Sequence, residues 1–137
     1  MTTEKTELRF PSRIGSVDEA ASAVAEIVKR AGISEEAAFG IDLAVREAIT
    51  NAVLHGNKFD ETKMVDVSIG CAATIFEIAV HDEGPGFNPV CVPDPTKEEN
   101  LLKTSGRGIF FMHNFMDEVN WSIRPQGGTT VRMVKRL

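Results

Sequence analysis

Apolar residues recur with helical spacing in two early stretches of the chain. Ala44, Val45, Ala48, Ile49, Ala52 and Val53 keep a helical period in the second, and the first, "VDEAASAVAEIVKRAG", residues 17–32, ends at Gly32, where a helix end favours glycine. Ser16 precedes the run and Glu19 follows three residues on, the spacing of a capping box. Ser34, backed by Glu35 and Glu36, opens a second and longer helix that the pattern carries to about His55, with Gly56 as its stop. The period then changes. "TELRFPSR" alternates weakly as a first strand closed by Pro11. Met64, Val65, Val67 and Ile69 alternate before a turn near Gly70, and Ile75, Phe76, Ile78 and Val80 after it, which predicts a hairpin. A third helix is predicted in "SGRGIFFMHNFMDEV", and two closing strands in "EVNWSIRP" and "GGTTVRMVKRL", joined at Pro125 to Gly128. Three helices and about five strands, paired mostly antiparallel, predict a two-layer α/β (α+β) sandwich with the helices on one face of the sheet.

Between Phe87 and Ser105 the chain is polar and proline-rich, "FNPVCVPDPTKEENLLKTS". So long a segment without periodicity in a small domain reads as a lid or binding loop. The 137 residues suit one domain, and 42% hydrophobic with 26% charged residues is ordinary for a globular protein. A net charge of −5, from 15 basic and 20 acidic residues, tilts against nucleic acid as the direct partner. Neither a membrane span nor a secretory leader is legible, which makes the cytoplasm the expected location. Cys71 and Cys91 lack metal or disulfide spacing and are expected to be reduced thiols.

Polar residues intrude on the second helix. Glu47, Asn51 and His55 lie at i, i+4 and i+8, one slanting stripe along the border of the apolar face. Such a stripe is either an ordinary amphipathic boundary or the wall of a cleft. A carboxylate and an amide oxygen one turn apart suit a hard cation such as magnesium. No HExxH, Walker A or dinucleotide-binding GxGxxG pattern is present. Two glycine loops supply further candidates. "HDEGPGFN" sets Asp82, Gly84 and Gly86 directly after a strand, where a carboxylate can accept from an exocyclic amino group and glycines admit close backbone approach. "SGRG", Ser105 to Gly108, opens the third helix, where unbonded N–H groups favour phosphate.

The order of these pieces, carried by "EAITNAVLHGN", "HDEGPGF", "SGRGIFFMHNFMDEV" and "GGTTVRM", resembles the ATP-binding domain of gyrase, heat-shock chaperones, histidine kinases and mismatch-repair proteins. Within that group the chain is similar to the small anti-sigma factor serine/threonine-protein kinases of bacteria along nearly its whole length. The resemblance implies a histidine-kinase-like ATPase fold with ATP and Mg²⁺ as cofactors. It implies that Asn51 holds Mg²⁺ on the phosphates and Glu47 is the general base for a protein hydroxyl. Asp82 reads the adenine amino group with Thr129 or its neighbour Thr130 in support, strand register deciding between them. Gly84 and Gly86 shape the adenine pocket, and Ser105, Gly106, Arg107 and Gly108 bind phosphate. His55 is read as structural and Lys58 as a solvated lysine.

The implied function is an anti-sigma factor that sequesters a sigma factor and phosphorylates a serine (or threonine) on an anti-anti-sigma antagonist, with a homodimer as the implied assembly. One departure is that Lys103 and Thr104 stand where some members carry an arginine before the glycine turn, while Arg107 lies inside it. That departure supports the alternative of a nucleotide-gated partner-binding module without physiological transfer. The catalytic half of a histidine kinase fits less well, because no helical hairpin bearing an acceptor histidine accompanies the domain.

Overall fold

The computed structural model describes residues 4–84, 112–125 and 127–137. Strand β1 (Glu4–Pro11) leads to helix α1 (Gly15–Arg30) and helix α2 (Glu35–Asn51), which continues into a π-helical turn, Ala52–Gly56. Strands β2 (Met64–Cys71), β3 (Ile75–His81), β4 (Glu118–Ile123) and β5 (Thr129–Arg136) complete a sheet of order β1-β2-β3-β5-β4. Every pairing in it is antiparallel. Residues 112–115 are helical.

Strand alternation decides which face is covered. Val65, Val67 and Ile69 of β2 pair with Phe10, Leu8 and Thr6 of β1, and Ile78 and Val80 of β3 with Met133 and Val131 of β5. These residues carry the sheet's apolar side, and α1 and α2 close over it with Ala20, Val24, Ile41, Val45, Ala48 and Ile49, all buried. Met112 and Met116 join the same core. Between the helices, Arg46 of α2 bonds Asp18 of α1 at 2.7 Å and Asp42 of its own helix at 3.0 Å. At this exposure the pair contributes alignment more than stability.

Several sequence expectations need correction. The capping box at Ser16 does not form: α1 begins at Gly15, and its N-cap, Ile14, makes no side-chain cap bond. The Ser16 hydroxyl is buried and donates instead to the Pro11 carbonyl at 2.6 Å, while Glu19 pairs with Arg13. The tight link from β1 uses that hydroxyl to satisfy a strand-end carbonyl before the helix needs it. The β2–β3 turn lies at residues 72–74, and Gly70 remains inside β2, paired with Lys5 and Glu77. Other signals meet their expected geometry. Gly32 has φ +73° and ends α1 in a Schellman pattern, with Gly32 N–H donating to Lys29 and Ile33 N–H to Val28. Ser34 caps α2, accepting from Ala37 N–H at 3.2 Å. The segment expected as a lid, 87–105, together with Cys91 and the opening of the third helix, lies outside the described residues.

Candidate functional site

The second helix does not run to His55 as a single α-helix. Its α-helical bonding ends at Asn51, and Asn57 N–H reaches back five residues to the Ala52 carbonyl at 2.8 Å. Just before the change, Thr50 Oγ1 donates to the Arg46 carbonyl, a back-bond that loosens a helix locally. The wider turn breaks the four-residue step, so His55 leaves the stripe and is exposed. Glu47 and Asn51 remain one turn apart and half-buried at the end of α2. Burial holds the Glu47 carboxyl above its ordinary range, with no offsetting hydrogen bond or charge from the described residues. Single π turns of this kind cluster at functional sites.

The π turn delivers the chain to Asp82. Gly56 lies so close that a Cβ there would stand 2.4 Å from Asp82 Oδ2. A Cβ on Gly84 would sit 1.9 Å from the Gly56 carbonyl, and one on Gly128 would sit 2.0 Å from the Asp82 carbonyl. Three glycines therefore let three backbones converge on one carboxylate. Asp82 follows β3 and is 6% exposed, and its Oδ1 accepts from Gly84 N–H at 3.0 Å and Thr129 N–H at 3.1 Å. Burial pushes its carboxyl up, while those two N–H groups and Arg124 pull the other way. Arg124 also donates to the Asp82 carbonyl at 2.9 Å.

Register separates the two threonines. Thr130 pairs with His81, and its hydroxyl lies 2.7 Å from His81 Nδ1 on the sheet face away from the helices. Thr129 is buried, and its backbone brackets Asp82 by donating to Oδ1 and accepting from Asp82 N–H. The fold thus brings Asp82, Gly84 and Thr129 together and joins them through Gly56 to the helix carrying Glu47 and Asn51; Thr130 is directed elsewhere. Gly86, Ser105, Gly106, Arg107 and Gly108 lie outside the described residues. Sequence reasoning passed over Gly56 as a contact, Gly128, Arg124 and Asn57. Asn57 is 2% exposed; in the sequence its one signal is an asparagine immediately after the glycine read as a helix stop.

The donor set suits Mg²⁺ better than a softer metal. Glu47 and Asn51 offer oxygen only, and no cluster of three or more His, Cys, Asp or Glu able to hold a metal occurs among the described residues. None of the described helices is long and apolar enough to cross a membrane.

Known proteins are similar to this chain in sequence and in fold. The family described as histidine kinase-like ATPase domain matches residues 10–135. The chain is 33% identical over 137 aligned residues to the anti-sigma F factor of Heyndrickxia coagulans, covering 97% of this chain and 92% of that protein. It is 36% identical over 101 residues to the anti-sigma F factor of Bacillus subtilis (strain 168), covering 71% and 68%. Among solved structures, a mycobacterial sensor histidine kinase, MprB, superposes with a TM-score of 0.58 at 14% identity, over 98% of this chain and 97% of that one. The catalytic domain of the histidine kinase ThkA does so at 0.53, over 97% and 95%. At such identities these two speak for the fold alone.

Proposed function

The chain belongs to the histidine kinase-like ATPase domain family, in the company of the anti-sigma F factors, and from that we infer that it is an ATP-dependent anti-sigma factor and a serine/threonine-protein kinase. It sequesters a sigma factor, and it transfers the γ-phosphoryl group of ATP to a serine or threonine of an antagonist protein. The observation that carries the reading is the junction of the half-buried Glu47 and Asn51 with the Asp82 loop through one short turn.

Each residue then has a task. The Asp82 carboxylate, its Oδ1 fixed by two backbone N–H groups, accepts from the adenine amino group. Gly84, Gly86 and Thr129 shape the pocket around the base. Asn51 would hold Mg²⁺ through its amide oxygen, and Ser105, Gly106, Arg107 and Gly108 would contact the phosphates. The metal would supply charge neutralisation on those phosphates. Glu47 accepts the proton of the attacking hydroxyl as the new O–P bond forms and the bond to the β-phosphate oxygen breaks, leaving ADP. Its raised pKa suits a base that takes up a proton during transfer. The added charge, about −1.5 to −2, then drives the antagonist from the interface.

The anti-sigma role places the protein in the cytoplasm with its partners. Edge strand β1 is open to pairing with a second copy in a homodimer. Incubating the protein with Mg-ATP and a cognate antagonist tests the transfer. Phosphoserine or phosphothreonine on the antagonist, absent with Glu47→Gln, is the expected result. Binding of ATP and partner without transfer by the wild type would instead establish a nucleotide-gated binding module.

A further inference from the structure

Asn57 spends its whole side chain on three separate segments. Its Nδ2 donates to Ser12 Oγ at 2.7 Å and to the Met64 carbonyl at 3.0 Å, and its Oδ1 accepts from Glu83 N–H at 2.8 Å. Its backbone N–H closes the π turn on the Ala52 carbonyl. One residue therefore ties together the link after β1, the start of β2, the turn beyond Asn51 and the residue beside Asp82. Ser12 is itself buried and passes the connection on, donating to the Lys63 carbonyl at 2.5 Å.

Two neighbouring features show the attachment is under demand. Lys58 and Phe59, directly after Asn57, both lie in the left-handed region, with φ 51° and 59°. Consecutive left-handed residues without glycine persist only where surrounding bonds over-determine them. On the other side of the contact, Gly84 N–H is held by Asp82 Oδ1 and Glu83 N–H by Asn57, so both amides after Asp82 are committed. The Glu83 carboxylate adds a bond to Met64 N–H.

We propose that Asn57 is a positioning residue for nucleotide recognition, fixing the Asp82 loop against the end of the helix that carries Glu47 and Asn51. It touches no ligand. Its bond to Glu83 sets where the adenine-reading carboxylate stands, while its bonds to Ser12 and Met64 tie the same turn to the sheet and serve stability. The proposal rests on the adenine role given to Asp82.

The experiment measures adenosine and Mg-ATP binding by calorimetry, well below the melting temperature, for wild type, Asp82→Asn, Asn57→Ala and Ser12→Ala. Asn57→Ala is expected to raise both dissociation constants by about tenfold, the effect of losing one anchoring hydrogen bond. Transfer at saturating ATP is expected to stay within about twofold of wild type, so the change appears in KM rather than kcat. Ser12→Ala lowers the melting temperature but leaves the Glu83 bond in place, so its dissociation constants stay within about twofold. A folded Asn57→Ala with unchanged adenosine affinity overturns the proposal, as does an equal loss from Ser12→Ala, which would make the effect one of general stability.

Should Asn57→Ala not fold, hydrogen exchange on the wild type decides. The Glu83 amide is expected to be protected before nucleotide is added and further protected by adenosine; rapid exchange in both states overturns the proposal. Failure of wild type to bind adenosine, or full affinity in Asp82→Asn, strikes at the adenine assignment instead.

Discussion

Glu47 carries a charge in a place that resists it. Its folded pKa is raised by burial, so the group favours folding most at pH below its unfolded value, and that contribution is lost as pH rises through the folded pKa. Above its folded pKa the ionised carboxylate is therefore a cost to the fold. Glu47→Gln should remove that cost and the proton acceptor together. Transfer to the antagonist should fall at least about a hundredfold, while the melting temperature at neutral pH rises by about 2–4 °C. A kinase assay beside thermal denaturation checks both halves. Asp82 follows the same sign. Its carboxyl titrates above the ordinary 3.8, so adenosine affinity should hold near neutral pH and decline on acidification earlier than for an exposed aspartate. Asp82→Asn should bind weakly and show no such decline. Gly84→Ala drives a methyl group into the Gly56 carbonyl and should abolish nucleotide binding, with a loss of about 2–3 kcal/mol measured by urea denaturation.

At the scale of elements, local signals and tertiary demands part company. Gly32 and Ser34 were legible because their tasks are local, one needing positive φ and the other an oxygen beside free N–H groups. Gly32→Ala should cost about 1 kcal/mol from backbone strain alone, since nothing lies within 4 Å of the added methyl, and should leave ATP affinity unchanged. Ser16 was misleading because the tight link after Pro11 claims its hydroxyl. The π turn was hidden for a different reason. Ala52 and Val53 stay buried as an α-helix would bury them, and only the exposure of Leu54 and His55 betrays the change of pitch. Glu47, Asn51 and Asp82 stood out as candidates by residue type and spacing. Asn57 and Arg124 were not, because their value lies in bonds to segments distant in sequence, 45 residues for Asn57 to Ser12 and 42 for Arg124 to Asp82.

For the molecule as a whole, the antiparallel order and the helix-covered face followed from periodicity, while the strand order β1-β2-β3-β5-β4 required the register itself. The proposed site joins the end of α2 to the ends of β3 and β5, so nucleotide bound there stabilises the assembly of both layers and not a single loop. Mg-ATP at about a hundred times its dissociation constant should add about 2.7 kcal/mol to unfolding free energy, read as a rise in melting temperature. A chelator should reduce that rise, and adenosine should produce a smaller one that the chelator leaves unchanged.

The meeting of Gly56, Gly84 and Gly128 around Asp82 has a consequence for inheritance. Every amino-acid change that one nucleotide can make in a glycine codon introduces a side chain, and at these three positions there is no volume to receive one. The corner therefore has no neighbouring protein sequences through which to drift. A mutational library selected for nucleotide binding should return these positions blank, while the exposed turn at Ala73 and Thr74 fills with variants.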